Sequence, residues 1–277
     1  MTPDEYCQQK AAGSGSSFYY AFLFLPPERR RAITALYAFC REVDDAVDES
    51  TDARLAHAKL AWWRQEIAGL FAGNPQHPVT RALQPALAPF GITAERLNEI
   101  IDGMEMDLTQ TRYLDFVGLE RYCYHVAGVV GLLAAGIFGY KDARTLDYAK
   151  NLGTAFQLTN IIRDVGEDAR KNRIYLPMED LQKFNVTAAD LLNARHGEAF
   201  VALMRFEVER AQSYYDKALA ALPATDRRAQ RPGLIMAAIY RALLVEIERE
   251  GFQVLRLRTS LTPLRKLWLA WKTWVAA

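Results

Sequence analysis

The sequence predicts an all-α protein. Apolar residues recur three or four positions apart along nearly the whole chain, which is the spacing of amphipathic helices. No segment shows the sustained two-residue alternation that indicates a half-buried strand. The chain has 277 residues, 51% of them hydrophobic, and its 16 Gly and 11 Pro residues are scattered rather than clustered. We therefore predict one helical domain over residues 1–277, with a sizeable core and no linker.

Ten helices are predicted, and turn residues mark several of their ends. Pro26-Pro27 precede the first helix, and Gly73-Asn74-Pro75 end the second. The predicted ranges are 28–50, 52–72, 79–89, 93–109, 116–138, 142–169, 187–194, 197–221, 232–251 and 261–275. Only the connection 169–186 is long, and we expect this segment to form a lid or rim.

Charge and cysteine content exclude several classes of protein. There are 34 basic and 33 acidic residues, so the net charge of +1 gives no electrostatic case for nucleic-acid binding. The three cysteines are widely spaced and form no C-x-x-C pair, which favours a reducing, cytoplasmic location over a disulfide framework or zinc site. Residues 122–140 lack charged side chains and are long enough to span a bilayer. Four glycines and a histidine in this stretch favour a central helix of a bundle instead.

The first chemically informative pattern lies in the predicted helix 28–50. Tyr37, Arg41, Asp44, Asp45 and Asp48 fall on neighbouring rows of a helix with 3.6 residues per turn. Two or three carboxylates therefore project from one face. Like charges four residues apart destabilise a helix unless a cation lies between them.

A related pattern occurs in the predicted helix 142–169. Gln157, Asn160, Asp164 and Asp168 are spaced by three, four and four residues, so they form a single stripe, with Arg163 beside it. One alternative is that both stripes are solvated acidic faces. Their apolar and aromatic flanks favour a position at the edge of the core.

The ligand types indicate which metal these stripes would bind. They offer carboxylate and amide oxygens without a nearby thiolate or imidazole, which suits magnesium or manganese. A di-iron bundle would require Glu-x-x-His on two helices, and none of the four histidines has Glu three residues before it. Two facing acidic helices would form a mouth where magnesium and arginines hold a diphosphate.

Four motifs together resemble the squalene and phytoene synthase family. They are the segment 17–22, the pair Asp44 and Asp48, the segment 122–131 and the run 152–177, which includes Arg173-Ile174-Tyr175-Leu176-Pro177. The motifs occur in the family's order and cover most of the chain. The resemblance implies a single-domain isoprenoid-synthase bundle with a central apolar cavity.

The resemblance also implies roles for individual residues. The metal-binding group would be Asp44, Asp45, Asp48, Asn160, Asp164 and Asp168. The diphosphate contacts would be Arg41, Arg163 and Arg173, with hydroxyls supplied by Tyr37, Tyr122 and Tyr240. The substrate-binding residues would be Ser17, Phe18, Phe22, Gln157 and Asn160.

The reaction that the resemblance implies is a magnesium-dependent head-to-head condensation of two prenyl diphosphates. Segment 18–26 most resembles the presqualene diphosphate synthases of hopanoid pathways, so we expect two farnesyl diphosphates as substrates. Dehydrosqualene, squalene or phytoene synthase is the alternative. An alternative from another class is a non-catalytic assembly factor with the same fold, although both acidic motifs are intact. For the proton released, the departed diphosphate and a tyrosine hydroxyl remain open as acceptors.

Two further segments carry expectations. Glu105 and Asp107 are spaced by two residues and diverge on a helix, so we interpret both as structural.

The tail 262–277 places Leu264, Leu267, Trp268, Trp271, Trp274 and Val275 on one helical stripe. This stripe fits either a terminal helix that packs on the bundle or an interfacial helix. We expect peripheral contact with the inner face of the membrane.

Overall fold

The computed structural model describes residues 1–13, 21–22, 24–50 and 52–276. The helices in these residues are α1 (Pro3–Gly13), α2 (Pro27–Asp48), α3 (Ala53–Phe71), α4 (Pro78–Leu83), α5 (Leu87–Phe90), α6 (Ala94–Thr109), α7 (Phe116–Phe138), α8 (Arg144–Arg170), α9 (Met178–Lys183), α10 (Ala188–Leu192), α11 (Glu198–Ala221), α12 (Arg231–Arg249) and α13 (Pro263–Ala276). The described residues contain no strand, and Arg112 and Ile174 form an isolated bridge. The all-α prediction is confirmed.

Helix α8 is the central element of the bundle. Of its 27 residues, 14 are buried, and they lie on all sides of the helix. A helix with buried residues on every side belongs inside a protein. It packs against α7, α11 and α12, so the acidic stripe at its C-terminal half is held at the edge of the core.

Helix α7 contains the uncharged stretch, and it is the helix long and apolar enough to cross a membrane by length and composition. It packs against α6 and α8 inside the bundle, as the sequence predicts. A π-helical turn over Tyr124–Gly128 interrupts it where α6 approaches most closely. There Gly103 of α6 lies against Val126, and a methyl group on Gly103 would come within 2.8 Å of that side chain.

Glycines bring α7 and α8 unusually close together. A methyl group at Gly131 of α7 would overlap the carbonyl oxygen of Ala149, and one at Gly153 of α8 would overlap the carbonyl oxygen of Ala127. The two backbones therefore touch at two levels. This close approach fixes the position of the second acidic stripe relative to α7.

The structure differs from the predicted elements at three places. Helix α1 was not predicted, because Cys7 is its one buried residue and its sequence therefore has little apolar periodicity. Polar contacts hold it instead: the Tyr6 hydroxyl donates to Glu42 at 2.6 Å, and Lys10 pairs with Asp45 at 2.8 Å.

The other two differences concern short helices. The predicted helix 79–89 is divided, because a 3₁₀ turn containing Pro85 follows α4. Segment 169–186, predicted as a lid or rim, contains the short helix α9 after an extended stretch that bonds to residues 111–114.

The close approach of α7 and α8 leads to a stability prediction. We expect Gly153→Ala to lower the free energy of unfolding by about 1–3 kcal/mol, because the added methyl group forces two packed backbones apart. Gly197→Ala is the control, since nothing lies within 4 Å of the added methyl group. Urea denaturation of both variants measures the difference. Equal stabilities would contradict the account of this contact.

Candidate active site

A central cavity opens between α2, α7, α8 and α12. Together with its mouth it contains about 1230 Å³ of space not filled by atoms. Arg41, Asp44, Gln157 and Asn160 lie at one end, so that end is polar. Along α8 the lining residues run inward from Asn160 to Tyr148, a depth of about 18 Å at the helical rise per residue. The deeper walls are apolar and include Phe22, Val126, Val130, Phe138, Leu152 and Met236.

The structure brings most of the predicted site residues together around this cavity. Tyr37, Tyr122 and Tyr240 line it, as does Phe22, whose ring lies 6.3 Å from that of Phe138. Ser17 and Phe18, also predicted to bind substrate, lie outside the described residues.

The first acidic motif, on α2, is held by basic side chains. Arg41 donates to Asp44 at 2.6 Å and to Asp45 at 2.9 Å. Asp48 accepts from Arg173 at 2.8 Å and from Lys171 at 3.0 Å. Because Lys171 and Arg173 directly follow α8, these ion pairs join the two acidic helices across the mouth.

The second acidic motif, on α8, has a similar arrangement. Asp164 accepts hydrogen bonds from Arg163 and also from Arg258, the latter at 2.9 Å. Arg258 lies within 3.3 Å of Glu167 as well. Burial opposes ionisation of Asp164, but the two guanidinium groups outweigh it and lower the pKa of this carboxyl group.

Asp44 and Asp168 nevertheless have raised pKa values. The pKa of Asp168 is raised from 3.8 to about 7, mainly by burial and also by the neighbouring Asp164, while Lys171 and Arg173 oppose the shift. Burial likewise raises the pKa of Asp44 to about 6; Arg41 opposes this shift, whereas Asp48 and Asp45 reinforce it. Such raised values indicate a site short of positive charge.

The donor set fits a hard divalent cation. The buried Oδ1 atom of Asn160 has no hydrogen-bond partner among the described residues, although it lines the cavity at the level of the acidic motifs. An unpaired buried amide oxygen is costly, and a cation or its water would satisfy it. Within the described ranges, no three His, Cys, Asp or Glu residues are close enough to hold an ion by themselves.

Asp107 corrects one interpretation made from the sequence. It is 9% exposed and accepts from the Tyr122 hydroxyl at 2.9 Å and the Tyr175 hydroxyl at 2.8 Å. Burial raises its pKa to about 6, while hydrogen bonds from Tyr175 and Tyr122 and the charge of Arg173 limit the shift. Since Tyr122 lines the cavity, Asp107 supports a site residue. The sequence does indicate that Asp107 is buried. It follows the buried Met104 by three residues, and this spacing places it on the buried face of α6.

Glu105, in contrast, behaves as predicted. It pairs with Arg64 of α3 at 2.9 Å, and its side chain is 43% exposed. Two site residues had no sequence signal of their own. Lys171 and Arg258 lie in segments that connect helices. In such segments helical periodicity does not indicate which side chain faces a site.

The raised pKa of Asp168 predicts a pH-dependent stability in the metal-free protein. A carboxyl group whose pKa is 3.8 in the unfolded chain and about 7 in the folded protein stabilises the folded state fully below about pH 4. This contribution is lost as the pH rises through 7. We therefore expect Asp168→Asn to stabilise the metal-free protein at pH 8, by an amount of the order of 1 kcal/mol.

Chemical denaturation at pH 5 and pH 8 measures this effect, with Asp216→Asn as the matched control. Asp216 is exposed and lies 3.5 Å from Arg241, so its loss should change little. If Asp168→Asn destabilised the metal-free protein at pH 8, the carboxylate would have a favourable cationic partner, contrary to the description above.

Comparisons with known proteins agree with this geometry. A family model described as squalene/phytoene synthase matches residues 11–265. The chain is 38% identical to the 15-cis-phytoene synthase of Synechocystis sp., over 96% of this chain and 84% of that protein. It is 37% identical to the phytoene synthase of Arthrospira platensis, over 95% of this chain and 89% of that protein.

Solved structures give the same fold. A dehydrosqualene synthase crystallised with a ligand superimposes with a TM-score of 0.88 and 29% identity, covering 99% of this chain and 96% of that one. The squalene synthase HpnC from Alicyclobacillus acidocaldarius superimposes with a TM-score of 0.81 and 30% identity, covering 90% and 94%.

These relatives correct the expected product. The sequence-based expectation of a presqualene diphosphate synthase in a hopanoid pathway is wrong, because three cyanobacterial relatives, 36–38% identical over at least 95% of the chain, are phytoene synthases. That expectation rested on the short segment 18–26, whereas the similarity to phytoene synthases extends over nearly the full length of the chain. The prenyltransferase chemistry, the fold and the family are unaffected: the chain belongs to the squalene/phytoene synthase family.

Proposed function

We propose that this chain is a magnesium-dependent phytoene synthase, which joins two molecules of geranylgeranyl diphosphate head to head. The observation that carries the proposal is the similarity to cyanobacterial phytoene synthases over almost the whole chain. The deep apolar cavity beneath two acidic helices supports it, because a long prenyl chain and a diphosphate need those two environments side by side.

Diphosphate binding would exchange the partners of the charged groups at the mouth. In the structure Arg41, Arg163, Arg173 and Arg258 all donate to motif carboxylates. With substrate present, these arginines would turn to the phosphate oxygens. Asp44, Asp48, Asp164, Asp168 and Asn160 would then hold magnesium or manganese, with Asp45 beside them. The bound metal would withdraw charge from the departing diphosphate.

The cavity walls would protect the allylic cation that diphosphate departure leaves behind. Apolar side chains such as Val130 and Leu152 exclude water, which would otherwise quench the cation. The rings of Phe22 and Phe156 present electron-rich faces that stabilise positive charge. The double bond of the second substrate attacks the cation, and loss of a proton closes a cyclopropane ring to give prephytoene diphosphate. Departure of the second diphosphate, rearrangement of the ring and loss of a further proton would then give phytoene without a reductant.

Tyr122 and Asp107 form a route for that proton. The Tyr122 hydroxyl donates to Asp107, and Tyr122 lines the cavity. The oxygen of Tyr122 would accept the substrate proton while its own proton passes to the Asp107 carboxylate. Tyr175 holds the other carboxylate oxygen and fixes the orientation of Asp107. The departed diphosphate is the competing acceptor.

Product analysis tests the proposed function directly. With magnesium and geranylgeranyl diphosphate, the purified protein should release diphosphate and form phytoene without a reductant. EDTA should stop the reaction, and Asp44→Asn should abolish it. Mass spectrometry of the products, with farnesyl diphosphate as the competing substrate and with or without NADPH, distinguishes the outcomes. A preference for farnesyl diphosphate would contradict the proposal, and no turnover with any prenyl diphosphate would favour a non-catalytic assembly role.

The proton route gives a separate prediction. Asp107→Asn should lower turnover by about 100-fold or more, the usual effect of losing a general base. At saturating magnesium, the wild-type rate should rise with pH through about 6 as Asp107 ionises, and this rise should vanish in the variant. Tyr175→Phe is the control, since it keeps the contact between Tyr122 and Asp107. Equal losses in both variants, with an unchanged pH profile, would show that the cluster is merely structural.

A further inference from the structure

Helix α13 packs on the bundle by one side only. Ala270 is buried, and the Trp274 ring stacks on Phe24 with the ring centres 4.9 Å apart. The guanidinium group of Arg231 lies 4.8 Å from the centre of the Trp274 ring, and Arg265 pairs with Glu246 of α12 at 2.5 Å. Trp274 therefore lies on the packed side of α13, not on the exposed stripe where the sequence predicts it, and it anchors the helix to the bundle.

The opposite side of α13 is apolar and exposed. This outward face consists of Leu264, Leu267, Trp268, Trp271 and Val275, which are between 43% and 79% exposed. Their spacing of three, one, three and four residues places them on one stripe. A contiguous row of two tryptophans and three aliphatic side chains in water indicates an interaction surface.

The charge around the outward face is one-sided. Residues 251–277 contain five basic residues and no Asp or Glu, although the whole chain carries a net charge of only +1. The five are Arg256, Arg258, Arg265, Lys266 and Lys272. Lys272 lies over the Trp268 ring of the outward face, whereas Arg265 pairs with Glu246 and Arg258 pairs with Asp164 and Glu167.

The outward face runs parallel to the cavity. Helix α13 packs along α12, whose Pro232, Gly233 and Met236 line the cavity. Near its start, Lys266 is close enough to Arg163 and Arg258 at the mouth that burial and their charges lower its pKa. Near its end, Trp274 contacts Arg231 at the first turn of α12, the deep end of the cavity. One helix separates the exposed stripe from the prenyl site.

We propose that the outward face of α13 binds the surface of an anionic lipid bilayer. Tryptophan rings and flanking basic side chains are the combination that suits the interface between headgroups and acyl chains. A second copy of this chain is a poorer partner, because pairing two such faces would bring Lys272, which lies beside Trp268, toward its counterpart. The proposal depends on α13 alone and holds for any prenyl diphosphate substrate.

Vesicle binding tests this surface on the full-length protein. Sedimentation is measured with vesicles of phosphatidylcholine alone and with vesicles that also contain phosphatidylglycerol. We expect binding to the mixed vesicles, weakened by added salt. The double variant W268Q/W271Q should bind at least about tenfold more weakly, because it removes the two exposed rings. Lys272→Gln should weaken binding about fivefold.

The matched control is Trp62→Gln, which removes another tryptophan, 44% exposed on α3 and away from this face. It should bind vesicles as the wild type does. Thermal melting and turnover of detergent-dispersed substrate should be unchanged in W268Q/W271Q, which excludes misfolding. Equal binding of W268Q/W271Q and wild type would overturn the proposal. So would binding that ignores phosphatidylglycerol, or a concentration-dependent dimer that W268Q/W271Q abolishes.

Discussion

Mutual repulsion among buried carboxylates is the constraint on which the rest of this structure depends. Two helices bring acidic stripes to the mouth of an apolar cavity, where burial strengthens the repulsion. In the structure, basic side chains neutralise part of this charge; Arg173 and Lys171 reach Asp48 across the mouth, and Arg258 reaches Asp164. Burial, together with the remaining repulsion from Asp164, raises the pKa of Asp168 to about 7. The site is therefore prepared for additional cations, and its arginines are already positioned to receive an anion.

The fold supports this arrangement through close helix packing beneath the mouth. Because Gly131 and Gly153 let α7 and α8 touch, the cavity between α2, α7, α8 and α12 stays narrow and apolar while its rim remains polar. A separate close contact, between α6 and α7 at Gly103, accompanies the hydrogen bond from Tyr122 of α7 to Asp107 of α6. Each chemical step has its own environment. Diphosphate departure requires charge at the rim, survival of the cation requires a dry interior, and loss of the proton requires the paired tyrosine. Helix α13 adds an exposed apolar face one helix away from that interior.

Much of this could be predicted from the sequence, because helical periodicity is local. The spacing of Asp44, Asp48, Asp164 and Asp168 sufficed to place both acidic stripes, and their oxygen-only chemistry indicated the metal class. Asp107 was missed because its hydroxyl partners are 15 and 68 residues away along the chain. Arg258 and α1 were missed because ion pairs across the fold, rather than a periodic pattern, define them. The product could not be predicted, since substrate length depends on cavity depth rather than on any motif.

The central claim is that diphosphate and divalent cation bind together at the mouth, with the arginines exchanging carboxylate for phosphate. Titration calorimetry with an unreactive thio analogue of geranylgeranyl diphosphate, in magnesium and in EDTA, tests this most directly. We predict that magnesium tightens binding of the analogue by about 100-fold, near the upper end of ordinary coupling between two sites. Asp168→Asn should remove most of that coupling. If the analogue bound equally well in EDTA, the acidic helices would not form the diphosphate site, and the claim would be wrong.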